Sequence, residues 1–170
     1  MAAAYIVVDA IRRGSGLALT YIVSGNLDEI RIPAVAVPSR RDELWQHTCF
    51  EAFVRTQSGD EYYEFNFSPS THWAAYRFSA YRSGMCAASE IEAPIIETGV
   101  DADCFTLNAL VELDRFSHLS ATTSWRLGLS ALIEDKIGRK AYWALAHPSG
   151  KPDFHHPACF TQELSPVVRL

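Results

Sequence analysis

The chain has 170 residues, 48% apolar and 21% charged, with a mean hydropathy of −0.03. That balance fits one globular domain over residues 1–170 and excludes a disordered or fibrous chain. Fifteen basic residues are scattered among 20 acidic ones, for a net charge of −5. There is no basic patch to capture nucleic acid, and no stretch approaches the ~20 apolar residues of a membrane span. Neither nucleic acid nor membrane is therefore an expected partner. The apolar start from Met1 to Val8 has no basic residues ahead of it and is too short for a signal core, so the expected location is cytoplasmic. Cys49, Cys86, Cys104 and Cys159 form no CxxC pair. Four buried thiols are expected in place of a zinc site or disulfides, and no metal or cofactor is called for.

Short aromatic and β-branched stretches broken by Gly, Pro, Ser and Asp dominate the chain, as in antiparallel β structure. In chain order they are Leu17 to Val23, closed by Gly25-Asn26; His47 to Gln57; and, after a Ser58-Gly59-Asp60 turn, its hairpin partner Glu61 to Phe67. Trp73 to Arg82, Cys104 to Leu113, Trp125 to Ile133 and Ala141 to Ala146 follow. Strand side chains alternate between faces. On Glu61 to Phe67 that sets Tyr63, Phe65 and Phe67 toward a core and Tyr62, Glu64 and Asn66 away from it. Phe105, Leu107, Ala109, Val111 and Leu113 form one inward face, and Trp125, Leu127, Leu129, Ala131 and Ile133 another. Leu107, Leu110, Val111 and Asp114 also fit a helical stripe, so that segment is ambiguous by periodicity alone. Seven to nine strands with few helical candidates predict an all-β fold, a two-sheet antiparallel β-sandwich, with a closed barrel as the alternative.

Polar groups recur inside the strands around Leu44-Trp45-Gln46-His47-Thr48-Cys49-Phe50-Glu51 and Tyr63-Glu64-Phe65-Asn66. A carboxylate such as Glu51 among apolar residues must reach water, pair with a cation or meet a ligand, because burying it alone is costly. Arg77 is the expected partner. Glu64 and Asn66 share a face, as do Trp73 and Arg77, so neighbouring strands would present a polar and aromatic patch. The plainer alternative is a solvated outer sheet face. A second cluster, His147 with His155 and His156 near Asp153, suggests a metal. Adjacent histidines on an extended segment point apart, however, and Pro148, Pro152 and Pro157 suggest a rigid loop. No GxSxG, HExxH, P-loop or GxGxxG motif is present.

Together, Trp45-Gln46-His47-Thr48-Cys49-Phe50-Glu51-Ala52-Phe53, Tyr63-Glu64-Phe65-Asn66-Phe67-Ser68-Pro69, Trp73-Ala74-Ala75-Tyr76-Arg77 and Lys151-Pro152-Asp153-Phe154-His155-His156 resemble bacterial DOMON-like proteins, relatives of the family nine carbohydrate-binding modules. The resemblance spans Leu17 to Phe160 and implies a β-sandwich of immunoglobulin-like or jelly-roll character. It also implies that Glu51 matches an acidic strand position contacting sugar hydroxyls, with Asn66 and Arg77 beside it and Trp45 and Trp73 as clamping rings. Haem-binding relatives use a Met and a His as axial ligands. Here Met85 follows Gly84 in an expected loop, which disfavours haem.

The resulting expectation is a non-catalytic domain that binds a small carbohydrate or related polar ligand. Its site residues would be Trp45, Glu51, Asn66, Trp73 and Arg77, with His155 and His156 at the rim. The alternatives are a small enzyme acting on a sugar or cell-wall precursor, with Glu51 or Glu64 as acid or base, and a protein-interaction module. Oligomeric state is not legible in the sequence.

Overall fold

The computed structural model describes residues 2–166, which form two antiparallel sheets packed face to face. Eleven strands are used: β1 (Ala3–Arg13), β2 (Gly16–Gly25), β3 (Cys49–Thr56), β4 (Tyr62–Phe67), β5 (Trp73–Phe78), β6 (Cys86–Ala87), β7 (Ile95–Val100), β8 (Cys104–Glu112), β9 (Trp125–Glu134), β10 (Lys140–Ala144) and β11 (Gln162–Leu164). The smaller sheet runs β1-β2-β8-β7 and the larger β10-β9-β3-β4-β5-β6, with β11 also paired to β9. The expected sandwich is the observed fold. The ambiguous Cys104 to Leu113 segment forms strand β8 up to Glu112; Leu107, Val111 and Leu113 are buried, and Asp114 beyond it lies exposed.

The core between the sheets follows the period of two read from the sequence. Leu17, Leu19, Tyr21 and Val23 meet Phe50, Ala52 and Val54, with Tyr63, Phe65 and Phe67 alongside. The Phe50 ring lies 5.0 Å from Tyr21 and 5.9 Å from Phe105, so one aromatic of β3 touches two strands of the opposite sheet. The Tyr21 hydroxyl crosses the core to donate to the Glu51 carbonyl at 2.8 Å, which satisfies the phenol's need for a partner when buried. Cys49 and Cys159 are buried, but Cys86 is exposed and Cys104 half-buried, which corrects the expectation of four buried thiols. Cys86 sits on the two-residue edge strand β6, where no second layer covers it.

Strands β3 and β4 are buried on both faces. On the outer face of the larger sheet, Phe53, Tyr62, Ala74, Tyr76, Phe78 and Phe160 form a second apolar cluster, with Leu44 and Phe154 packed against it. The cover comes from the segments around residues 42–47 and 147–161, which return across the sheet. Gly128 on β9 makes the close approach possible: a Cβ there would lie 3.2 Å from the Cys159 carbonyl oxygen, tighter than side chains normally tolerate. The alternative of a plainly solvated outer face does not hold: this face is a second, partly covered interior. Among the described residues no helix is long and apolar enough to cross a membrane.

Candidate functional site

Strand register decides which side chains share the outer face. Glu51 lies opposite Asn66 on β4 and Ser130 on β9, and Glu64 lies opposite Phe53 on one side and Tyr76 on the other. Directly opposed residues of neighbouring strands point the same way. Glu51, Glu64 and Asn66 therefore converge, with Tyr76 and Phe78 beside them. Glu51, Glu64, Tyr76 and Phe78 form the floor of a groove of about 500 Å³, with Asn66 buried beside the two carboxyls. Its walls are Trp45 from the 3-10 turn Leu44–Gln46, Tyr142 of β10, and Phe154 with His155 from the proline-rich return segment. Arg82 and Lys140 complete the rim.

The floor is dry. Glu51 is 4% exposed, Glu64 6% and Asn66 fully buried. Ser130 Oγ donates to Glu51 Oε2 at 3.2 Å, and Asn66 Nδ2 donates to Glu64 Oε1 at 2.8 Å. These bonds do not compensate burial. Loss of water pushes the Glu51 carboxyl up to about 8, with the nearby Glu64 charge adding to the shift, and pushes Glu64 up to about 7. Two carboxylates this close titrate as a pair, so near neutral pH they share protons and are not both ionised.

His155 is fixed by its neighbours. The Tyr62 hydroxyl accepts from the Arg82 backbone N–H at 3.2 Å and sits 2.8 Å from His155 Nδ1. The other ring nitrogen, Nε2, lies 3.7 Å from Glu64 Oε2. Burial, reinforced by the Arg82 charge, holds His155 down at about 4, so near neutral pH it is an uncharged ring beside the floor. Asp153 anchors the segment that carries it: Arg82 Nη2 donates to Oδ1 at 2.7 Å, the His155 N–H donates to the same oxygen at 3.2 Å, and the Tyr81 hydroxyl donates to Oδ2.

Of the residues singled out from sequence, Glu51 lies on the floor with Asn66 buried beside it, and Trp45 and His155 lie on the walls. Trp73 and Arg77 do not join them. They stand opposite Phe67 and Tyr63, respectively, and so face the other side of β5. Trp73 is 6% exposed and packs in the main core under the Arg40 guanidinium, 5.2 Å from its ring. Arg77 pairs with Glu61 at 2.8 Å, not with Glu51. The reason is register: the Ser68–His72 connection sets Phe67 opposite Trp73, which fixes the parity of every residue that follows on β5. His156 caps the turn Pro157–Cys159, where its Nδ1 accepts the Ala158 N–H at 3.1 Å, and it is not part of the groove lining. Glu64 was read as sharing the Asn66 face and as an acid or base only in the enzyme alternative, and Tyr76, Phe78, Arg82, Tyr142 and Phe154 were not singled out. Alternation along β5 would have found Tyr76 and Phe78 once β4 was placed beside it.

A second hollow of about 430 Å³ lies beside β10 and is lined by Ala2, Ala3, Ile133 and Trp143. Its one carboxylate, Asp135, is held by Arg139 at 2.6 Å, so it offers fewer free polar groups than the groove. Among the described residues no three His, Cys, Asp or Glu side chains gather where they could hold a metal ion.

No protein-family model and no curated protein match this sequence. Solved structures do match in shape. A candidate carbohydrate-binding protein from Bacteroides uniformis ATCC 8492 superposes with a TM-score of 0.66 at 16% identity, over 91% of this chain and 75% of that one. A family 9 carbohydrate binding module from Caldicellulosiruptor kristjanssonii, solved in complex with glucose, superposes with a TM-score of 0.55 at 13% identity, over 97% and 78%. At these identities the likeness is one of fold, and the fold is a β-sandwich like that of a family 9 carbohydrate-binding module.

Proposed function

We infer that the chain is a carbohydrate-binding domain whose groove takes one small saccharide or the terminal unit of a longer one. The observation that carries this reading is the pairing of a buried polar floor, Glu51 and Glu64 backed by Asn66, with aromatic rings of Trp45, Tyr76 and Tyr142 in the same groove. Sugars present both a hydroxyl edge and an apolar ring face, so a site needs directed acceptors and flat apolar surfaces within a few ångströms of each other. A volume of about 500 Å³ falls in the range of small-molecule sites. The glucose complex of a similarly folded module supports the same reading.

The test is calorimetric titration and thermal unfolding with mono- and disaccharides. A ligand bound only by the native state stabilises it by about 2.7 kcal/mol at 100 times its Kd. Trp45 is half exposed at 47%, so Trp45→Ala is expected to change stability by no more than about 0.5 kcal/mol. The same substitution weakens saccharide binding by about tenfold, equal to about 1.4 kcal/mol. Absence of any heat or thermal shift at tens of millimolar sugar would overturn the reading.

The raised carboxyls also suit acid–base chemistry on a glycoside. Product analysis after prolonged incubation with nitrophenyl glycosides separates the two uses: binding without product is the expected result, and product formation lost in Glu51→Gln would favour the enzyme.

A further inference from the structure

The groove floor has more acceptors than donors. Glu51 receives a hydrogen bond from Ser130, and Glu64 receives one from Asn66. The carbonyl oxygen of Asn66 has no partner although the residue is fully buried, and its position opposite Glu51 places it beside both carboxylates. Buried acceptors without partners are rare and call for an explanation. Two cations, Arg82 and Lys140, stand on the rim, but neither forms an ion pair with the floor carboxyls. Arg82 is paired with Asp153, and among the described residues no lysine or arginine forms an ion pair with Glu51 or Glu64. The wall histidine is neutral. The site thus carries up to two negative charges and an orphan carbonyl, and among the described residues neither carboxyl has a lysine or arginine as ion-pair partner.

Resting on the saccharide reading above, we propose that the groove selects a sugar bearing a protonated amine, whose ammonium group sits over Glu51, Glu64 and the Asn66 carbonyl. An ammonium carries three donors and no acceptor, which matches three convergent acceptors. It also supplies the missing charge, and a charged donor on a carboxylate in a dry site is stronger than a neutral hydroxyl. A divalent cation fits less well: calcium requires six to eight oxygens, and two carboxylates with one amide fall short.

Binding of a cation favours the ionised form of both carboxyls, so it expels the protons they hold near neutral pH. Affinity should therefore rise with pH until the amine loses its own proton. The groups facing the floor are Glu51 of β3, Tyr62 and Glu64 of β4, Tyr76 of β5 with its partner Asp42, Arg82, Lys140 and Tyr142 of β10, and Asp153 with His155 from the return segment. Of these, the carboxyl pair is the one raised into the neutral range.

The experiment is isothermal titration of the full chain with glucosamine and galactosamine against glucose, galactose and N-acetylglucosamine, at pH 6 and pH 7, in buffers of different ionisation enthalpy. The expected result is at least a tenfold preference for an amino sugar over its neutral parent, its loss on N-acetylation, and proton release on binding. In Glu64→Gln, with folding checked by thermal unfolding, the preference ratio collapses toward one. Equal or tighter binding of the neutral parent overturns this inference and leaves the saccharide reading standing. Displacement of a bound amino sugar by millimolar calcium or magnesium overturns it in favour of a metal. Binding of neither sugar class overturns both readings.

Discussion

Glu51→Gln unfolds at a higher temperature than the unsubstituted protein at pH 9, and at nearly the same temperature at pH 4. The sign follows from where the carboxyl titrates. In the unfolded chain Glu51 has an ordinary carboxyl pKa near 4.5, whereas in the fold burial, with the neighbouring Glu64 charge, raises it to about 8. Between those values the native state binds more protons than the unfolded state, so stability falls as pH rises. The favourable contribution is fully present below 4.5 and lost as pH passes 8. Glutamine keeps the shape and still accepts from Ser130, but it cannot ionise. The expected gain at pH 9 is up to about 5 kcal/mol, which is roughly 10–20 °C in a domain of this size. Glu64→Gln behaves alike over a narrower window, since its carboxyl rises to about 7.

His155 works in the opposite direction on the acid side. Its pKa falls from 6.5 to about 4 in the fold, so its contribution is lost as pH drops through that interval, in the variants as in the parent. Comparing variant with parent at each pH cancels it. A stability difference that stays constant from pH 4 to pH 9 would show that the Glu51 carboxyl is not strained by burial. A chain that keeps two costly carboxyls in a groove gives up stability for a surface that a ligand can use, and groups held away from their usual pKa concentrate at such places.

How far the sequence carried this site can be read from individual residues. Alternation placed Tyr63, Phe65 and Phe67 in the core and Glu64 with Asn66 opposite, because a strand offers only two faces. Glu51 stood out because a carboxylate inside an apolar strand needs a reason. The relation between strands was not legible. Whether Trp73 or Ala74 shares the face of Asn66 depends on how the Ser68–His72 connection closes, and Thr71 in that connection takes a left-handed φ of 71° that its type does not announce. The walls were also hidden, since Phe154 and His155 reach the floor only after the chain has travelled about ninety residues beyond Glu64. β1 was read as no more than an apolar start, and β7, an edge strand with few buried residues, gave no clear alternation.

Arg12 was equally silent in sequence, and its replacement is expected to cost the fold more than any other single surface-strand change. It lies near the end of β1, is 8% exposed, and packs its guanidinium 3.6 Å from the centre of the Trp125 ring. Its nitrogens donate to the carbonyls of Gly14, Ser120, Ala121, Thr123 and Leu164 at 2.6–3.4 Å. One side chain thus ties the β1–β2 turn, the β8–β9 connection and the end of β11. Arg12→Met leaves several inward carbonyls without donors, and the expected loss is on the order of 3–5 kcal/mol in chemical unfolding. Arg12→Lys recovers little of it, because an ammonium carries charge but not the planar fork that reaches separate carbonyls while stacking on indole. Full recovery by lysine would mean that charge alone is the requirement. None of these partners lines the groove. Saccharide affinity measured well below the lowered midpoint should therefore be unchanged in Arg12→Met, and a loss of affinity there would reveal that the end of β1 is coupled to the site through the sandwich.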